Sequence, residues 1–400
     1  MSRRPKILLM ALELTGAARV PRALQEAGFE VGLACRSRAH LAHTKFRDHL
    51  FRLSEKNHGR GLLSALRTIT AAWPPDLILP NDDRSALFLA RTHELLAAHG
   101  ADPDLVRLLA RSLGRPSSVG AAVSKRQTMA AAQKLGLRVP ASEPVSTRAE
   151  IRHFAGRHGF PVVLKHSFSS AGQGVFICQD EAEVETKLQE LNRQQALAFR
   201  LTQWREKLRG RVMDEYWLPT DDSLIATQYI AGKNAMSLAA AMEGRMLGVL
   251  TAEAVKTHPG STGPSSVVKF MRNEEMRHAT GQMLKHWGLT GLIGFDFILD
   301  AAGHAWLLEC NPRPTPIAHL GARVGEDLCA ALRAGLAGFP VKPLASVSMD
   351  LVVAHFPKEM WRDSQSPYLA PEFHDIPTDD PDLMRSQQAE SPHQPREITK

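Results

Sequence analysis

Residues Gly294–Arg313 read GFDFILDAAGHAWLLECNPR. Two strand-like apolar runs, Leu292–Leu299 and His304–Cys310, flank the turn residues Asp300-Ala301-Ala302-Gly303, which predicts a β-hairpin. Side chains alternate along a strand, so Glu309 and Asn311 share one face. A two-residue turn at Ala301-Ala302 sets Asp296 opposite Leu307, on that face and diagonal to Glu309. A three-residue turn points Asp296 away unless a bulge at Gly303 restores the phase. On the first register two carboxylates and an amide oxygen converge. Such hard oxygen donors suit Mg²⁺, whose shell is completed by phosphate oxygens and water. Arg313 reaches the same pocket and could grip a phosphoryl oxygen or a carboxylate bidentately. From this stretch alone, a buried Asp satisfied by backbone or Arg, with Glu309 and Asn311 capping a turn, reads equally well.

Three other segments bear on this choice. A strand over Phe160–Lys165 delivers Lys165 into the small-residue loop Ser167–Gly174 (SFSSAGQG), and a second strand follows at Val175–Cys178. Backbone N–H groups around Ser170, Gly172 and Gly174 can approach phosphate closely because the glycines carry no Cβ. The loop is not a P-loop, since no Gly-Lys-Ser/Thr opens a helix there. Ser124 is a good N-cap for an amphipathic helix Lys125–Leu135 stopped by Gly136. Leu224–Ile230 is strand-like and ends at Ala231-Gly232. Its Thr227, Gln228 and Ile230 could hold adenine through main-chain groups, and an ordinary edge strand explains the same residues.

Upstream, strands at Ile7–Leu12, Glu30–Ala34 and Asp76–Leu79 alternate with helical segments, the first at Ala17–Ala27. This is the pattern of a parallel, Rossmann-like α/β unit. The loop Glu13–Ala18 lacks Gly-x-Gly-x-x-Gly, so no dinucleotide site is expected. Pro80-Asn81-Asp82-Asp83 lies either in the ligand crevice at a strand end or at a helix N-cap. Arg115–Ser118 reads as a linker, Glu181–Leu208 as a charged helix with Trp204 as anchor, and the chain from about Ser386 as disordered. The 400 residues imply two or three packed units, and 44% apolar with 23% charged residues exclude a fibrous or mostly disordered chain. No apolar run approaches a bilayer span of roughly 20 residues. Cys35, Cys178, Cys310 and Cys329 show no zinc or disulfide spacing and read as core residues of a cytoplasmic protein. The net charge of +7 suits an anionic ligand. Nucleic acid is not expected, because the basic run Arg205–Arg211 lacks interleaved aromatics.

In order and spacing these motifs resemble the ATP-grasp superfamily, in particular its carboxylate–amine ligases, over about residues 116–340. Lys125 before LGLRVP is similar to the first nucleotide lysine, and PVVLK with SSAGQGV to the second lysine and its glycine loop. TQYIAG is similar to the adenine hinge, and GFDF…LLECNPR to the metal pair with its Asn-Pro-Arg. The resemblance implies an α/β chain with a Rossmann-like pre-ATP-grasp domain (1–115) and a two-lobed ATP-grasp domain (116–340) whose lid spans about 140–230. A C-terminal extension (341–400) follows. It implies ATP held by Lys125, Lys165, Ser170, Gly172, Gly174, Thr227, Gln228 and Ile230. Two Mg²⁺ ions, or Mn²⁺, would sit on Asp296, Glu309 and Asn311, with Glu309 bridging. Lys165 and Arg313 are implied as catalytic, Arg313 at the oxyanion of a tetrahedral intermediate. The implied activity transfers the γ-phosphoryl to a small-molecule carboxylate and joins the acyl group to an amine or, in second place, a thiol. Homodimers are common among similar proteins. Two departures stand out: Thr227 and Gln228 replace the usual acidic hinge residue, and the Gln-x-Glu-His run of biotin carboxylases is missing after Asn-Pro-Arg. A bicarbonate-activating enzyme and a non-catalytic ATP- or RNA-binding module remain as alternatives. The loop His258–Ser266 is expected to line the acceptor pocket.

Overall fold

The computed structural model describes residues 3–55, 59–168, 175–190, 223–338 and 350–389. Four parallel strands, β1 (Lys6–Ala11), β2 (Glu30–Arg36), β3 (His49–Leu53) and β4 (Leu77–Pro80), form the first sheet in the order β3-β2-β1-β4. β1 is apolar at nearly every position because both of its faces are covered. Leu8 and Met10 enter one core cluster, while Ile7, Leu9 and Ala11 enter another. The sequence alone does not predict β3. Its sequence HLFRL is half polar, which an edge strand with one exposed side tolerates. The cap reading of residues 80–83 holds: Asp82 caps the helix Asp83–Ala98 by accepting from Ser85 N at 2.7 Å, and it also accepts from Leu12 N at 2.7 Å. The cap therefore pins the loop after β1 to the strand ends.

The expected linker at Arg115–Ser118 is packed. Pro116–Ser118 is a 3₁₀ turn, and Arg115 N donates to Gly288 O at 3.0 Å, tying this segment to the large sheet. Next come β5 (Ser142–Pro144), β6 (Val162–His166), β7 (Val175–Cys178) and β8 (Leu224–Gln228), an antiparallel sheet in the order β5-β8-β6-β7. Val145, Ile151, Phe154, Val162, Leu164 and Ala226 form a core of its own, separate from the two clusters shared by the other sheets. β8 is an inner strand, so the edge-strand reading of Leu224–Ile230 is corrected. Residues 181–190 are helical; the rest of the expected helix, with Trp204, lies outside the described residues.

The third sheet holds β9 (Gly232–Met242), β10 (Arg245–Thr257), β11 (Ser265–Phe270), β12 (Gly291–Asp300), β13 (Ala305–Asn311), β14 (Val352–His355) and β15 (His374–Asp375), in the order β13-β12-β9-β10-β11-β14-β15. The sequence reading assigns no strand at β9. Its Ala-rich stretch favours helix locally, but Ala239, Ala240 and Ala241 are fully buried, and strand pairing on both sides overrides propensity. The small side chains let the helix Glu274–Trp287 approach closely enough for Ser237 Oγ and Thr280 Oγ1 to meet at 2.6 Å. The C-terminal extension adds β14 and β15 to this sheet. Its helix Pro381–Gln388 corrects the expectation of disorder beginning at Ser386, whose Oγ lies 2.9 Å from His40 Nδ1. Residues 390–400 lie outside the described residues. All four cysteines are buried and unpaired. No helix among the described residues is long and apolar enough to cross a membrane.

Candidate active site

The hairpin register differs from the expected one. Leu299 pairs with Ala305 and Phe297 with Leu307, but Asp296 pairs with Glu309. The loop Ala301–Gly303 therefore has three residues, closed by Asp300 N donating to His304 O at 3.1 Å. Asp300 stabilises this longer loop by accepting from Ala302 N and His304 N, and Gly303 takes φ +84°. The phase is restored by a bulge at Leu308, not at Gly303. Leu307 N, next to it on this sheet edge, is held by Arg138 O at 2.9 Å. A bulge turns two residues of one strand toward one residue of the other. Leu308 and Glu309 accordingly line the same cavity as Asp296. Asp296 thus faces Glu309 directly instead of Leu307.

Asn311 completes the group, donating from Nδ2 to Asp296 Oδ2 at 3.0 Å. Opposite Asn311 sits Gly294, where a Cβ would lie 2.5 Å from Thr315 Cγ2. Gly294→Ala should therefore displace Thr315 and destabilise the fold by about 1–3 kcal/mol, as overpacking does. A denaturation midpoint unchanged from wild type would contradict this.

Lys125 reaches the pair because the helix Lys125–Lys134 packs along β13 and is fixed at its start. Ser124 Oγ accepts from Gln127 N, as the expected cap requires, and Lys125 N donates to Ser167 O at 3.0 Å. Lys125 Nζ then lies 3.0 Å from Glu309 Oε2. Lys165, buried on β6, faces the same pair. Burial, with the nearby Lys125 charge adding to it, lowers its pKa to about 8 against the pull of Glu309. Burial raises Asp296, and the Glu309 carboxylate raises it further. Burial also works against ionised Glu309, but the Lys125 ammonium, a hydrogen bond with Asp296 and the Lys165 charge together outweigh it and hold Glu309 in its charged form. Two facing carboxylates, one pushed toward protonation, form a site short of positive charge. This donor set fits a hard divalent cation.

Arg313 is already engaged. Its Nε and Nη2 donate to Asp83 Oδ1 and Oδ2 at 2.8 and 3.1 Å, and Nη2 donates to Asn311 Oδ1 at 3.1 Å. Burial opposes the guanidinium charge, but Asp83 more than compensates and keeps it protonated. Asp83, 230 residues away in sequence, carried no local signal beyond its place at a strand end. Arg313 therefore couples the N-terminal sheet to Asn311.

A cavity of about 520 Å³ joins these groups. Thr227, Gln228 and Ile230 line it, as do Lys125, Lys165, Asp296, Glu309, Asn311 and Arg313. Residues 261–265 of the loop His258–Ser266 also line it. Gln228 N is taken by Ala141 O at 2.8 Å, which leaves the residues beyond it to face a ligand. Ser170, Gly172 and Gly174 lie outside the described residues. Asn81, from the segment read as a ligand crevice or a helix cap, lines the cavity too, and sequence reasoning missed Thr315 there. Their Oδ1 and Oγ1 are buried with no partner among the described residues, a pattern that marks a ligand contact.

Residues 124–205 match the family described as the carbamoyl-phosphate synthase L chain, ATP binding domain. The biotin carboxylase domain of Hydrogenobacter thermophilus 2-oxoglutarate carboxylase, solved with MgADP and bicarbonate, superposes with a TM-score of 0.62 at 16% identity, over 88% of this chain and 74% of that one. The fold is ATP-grasp. Carboxyaminoimidazole ribonucleotide synthase from Aspergillus clavatus, complexed with ATP, shares this ATP-grasp fold at TM-score 0.60 and 15% identity, over 87% and 80% of the two chains. L-amino acid ligase from Bacillus licheniformis does so at 0.56 and 15%, over 86% and 76%. In sequence, the carbamoyl phosphate synthase large chain of Thermus thermophilus is 25% identical over 71% of this chain. The chain spans a quarter or less of the length of the first such large chains it matches. Formate-dependent phosphoribosylglycinamide formyltransferase of Anaeromyxobacter dehalogenans is 25% identical over 72% of this chain and 69% of its own length.

Proposed function

We propose that this chain is an ATP-dependent carboxylate–amine ligase. The observation that carries the reading is the Asp296–Glu309 pair with Lys125 against it, in one cavity with Lys165 and the Thr227–Ile230 segment. ATP would lie between the β5–β8 sheet and the hairpin, its adenine at Thr227–Ile230 and its phosphates at Lys125 and Lys165. Asp296, Glu309 and Asn311 would hold two Mg²⁺, or Mn²⁺ in their place. The metal would supply charge neutralisation at the β- and γ-phosphates.

The chain's own residues then do two things. Lys125 turns from Glu309 to the phosphates, and Lys165, lined up from a buried strand, stays fixed beside them, so that positioning and charge lower the barrier to transfer. The bond from the γ-phosphorus to the ADP oxygen breaks as a bond to the substrate carboxylate oxygen forms. The amine next attacks the acyl carbon, phosphate leaves with the C–O electron pair, and the amine loses a proton. Arg313, held in plane by Asp83, would face the developing oxyanion. The N-terminal unit (1–115), ATP-grasp unit (116–340) and extension (341–400) follow the same reading, as does a cytoplasmic small-molecule enzyme, with a homodimer as its assembly.

The test is ADP and phosphate release with Mg·ATP across mixed acids and amines, with product masses. Lys165→Ala should raise the ATP KM at least tenfold, since it removes a buried cation facing the phosphates. ADP release absent across a broad panel, together with retention of RNA, would favour the binding-module alternative.

A further inference from the structure

Part of the cavity wall is supplied by the C-terminal segment. His355, at the end of β14, is 6% exposed, and Phe356, Pro357, Lys358 and Trp361 follow it into the cavity lining. Asp375, on β15, draws the other parts together. It lies 2.5 Å from Arg19 Nη1 and 2.7 Å from His319 Nε2, which come from the loop after β1 and from the 3₁₀ segment after Asn-Pro-Arg. Arg19 Nη1 also donates to Asp375 O at 2.6 Å. Three distant stretches of chain are thus locked into one surface.

Arg19 and Lys358 stand with one carboxylate, Asp375, in this part of the lining, and burial lowers the pKa of the His319 imidazole. Asp375 is taken by Arg19 and His319, with Arg323 a further 3.6 Å away. Lys358 adds a second cation to the lining. His355, buried beside it, is held neutral to about pH 3, first by burial and then by the Lys358 charge. Such a wall repels further positive charge and favours an anion. Around it the lining is apolar: Phe356, Pro357 and Trp361, with Pro314 and Pro316 from the turn after Arg313. Bicarbonate has no apolar body to set against this lining, whereas an organic acid does.

We infer that Arg19, His355, Lys358 and Trp361 form the recognition wall for the acid substrate, and that it selects an organic acid bearing an apolar body and a second anionic group over bicarbonate. The inference rests on the ligase reading for the identity of the reacting acid. The C-terminal extension is then a specificity element: the carboxylate to be activated points at Lys165 and Arg313, and the second anion sits at Arg19 and Lys358.

The test uses the full chain. Bicarbonate, acetate, phenylacetate, 2-phenylsuccinate and 3-phosphonopropionate are each offered with Mg·ATP, and hydroxylamine is the trapping amine. ADP release is read in parallel with the Tm shift each acid causes in the presence of a non-hydrolysable ATP analogue. Phenylsuccinate is expected to give the largest Tm shift and the lowest KM, and the phosphonate arm reports whether the second anion is a carboxylate or a phosphorus oxyanion. Lys358→Met and Trp361→Ala should each raise the phenylsuccinate KM about tenfold, roughly 1.4 kcal/mol, with the nucleotide-induced Tm shift retained as the check on folding. If bicarbonate drives ADP release as well as any organic acid and neither variant changes it, the wall is refuted while the ligase reading stands. If phenylsuccinate shifts Tm in wild type but not in the variants, and no acid releases ADP, the wall stands and the ligase reading fails. No Tm shift and no release with any acid refutes the wall.

Discussion

Glu309→Gln is expected to lower acid-dependent ADP release by about 10²–10³-fold, the range seen when one preorganised electrostatic partner is removed from an active site. Glutamine keeps the volume and the position opposite Asp296 and removes only the charge. The Tm should stay within about 4 °C of wild type, because two effects oppose each other. Lys125 loses its partner at 3.0 Å, and Asp296 is relieved of the facing carboxylate that pushes its pKa up. The loss should appear in kcat more than in the ATP KM, since Lys125 and Lys165 still face the phosphates. Near-normal turnover in this variant would show that the pair is structural and would remove the metal assignment.

Arg313→Ala should be the most destabilising single change in the site, by about 3–5 kcal/mol, because it strands a largely buried Asp83 carboxylate. Asp83→Ala strands the guanidinium in turn. The double variant should recover part of the loss, with a coupling of about 1–3 kcal/mol in a denaturation cycle. Arg313→Lys should not rescue activity. An ammonium cannot bridge both Asp83 oxygens and Asn311 Oδ1 at once, as the planar fork does. If Arg313→Lys is fully active, Arg313 acts as a point charge and its coupling of the N-terminal sheet to Asn311 has no catalytic weight.

Local chemistry explains why part of this site was legible in sequence. Asp296, Glu309 and Asn311 stand in strands bounded by turn residues, and Lys125 follows a serine that serves as a helix cap. Each of these signals acts within about ten residues. The hairpin phase was not legible. It depends on Asp300 bonding across a longer loop and on the compensating bulge at Leu308, so the expected partner of Asp296 was Leu307. β9 was missed because propensity speaks for isolated alanines, whereas burial between two neighbouring strands speaks for this stretch.

The residues themselves determined the α/β class and placed the carboxylates and lysines on strands and at a helix start, since short-range periodicity and turn chemistry encode these. Tertiary structure alone decided which charges meet. Asp83 joins Arg313 across 230 positions, and Asp375 of the C-terminal segment joins Arg19 and His319 across 356 and 56. Electrostatic partners are chosen by distance in space, and no spacing along the chain announces a contact formed by the packing of separate sheets.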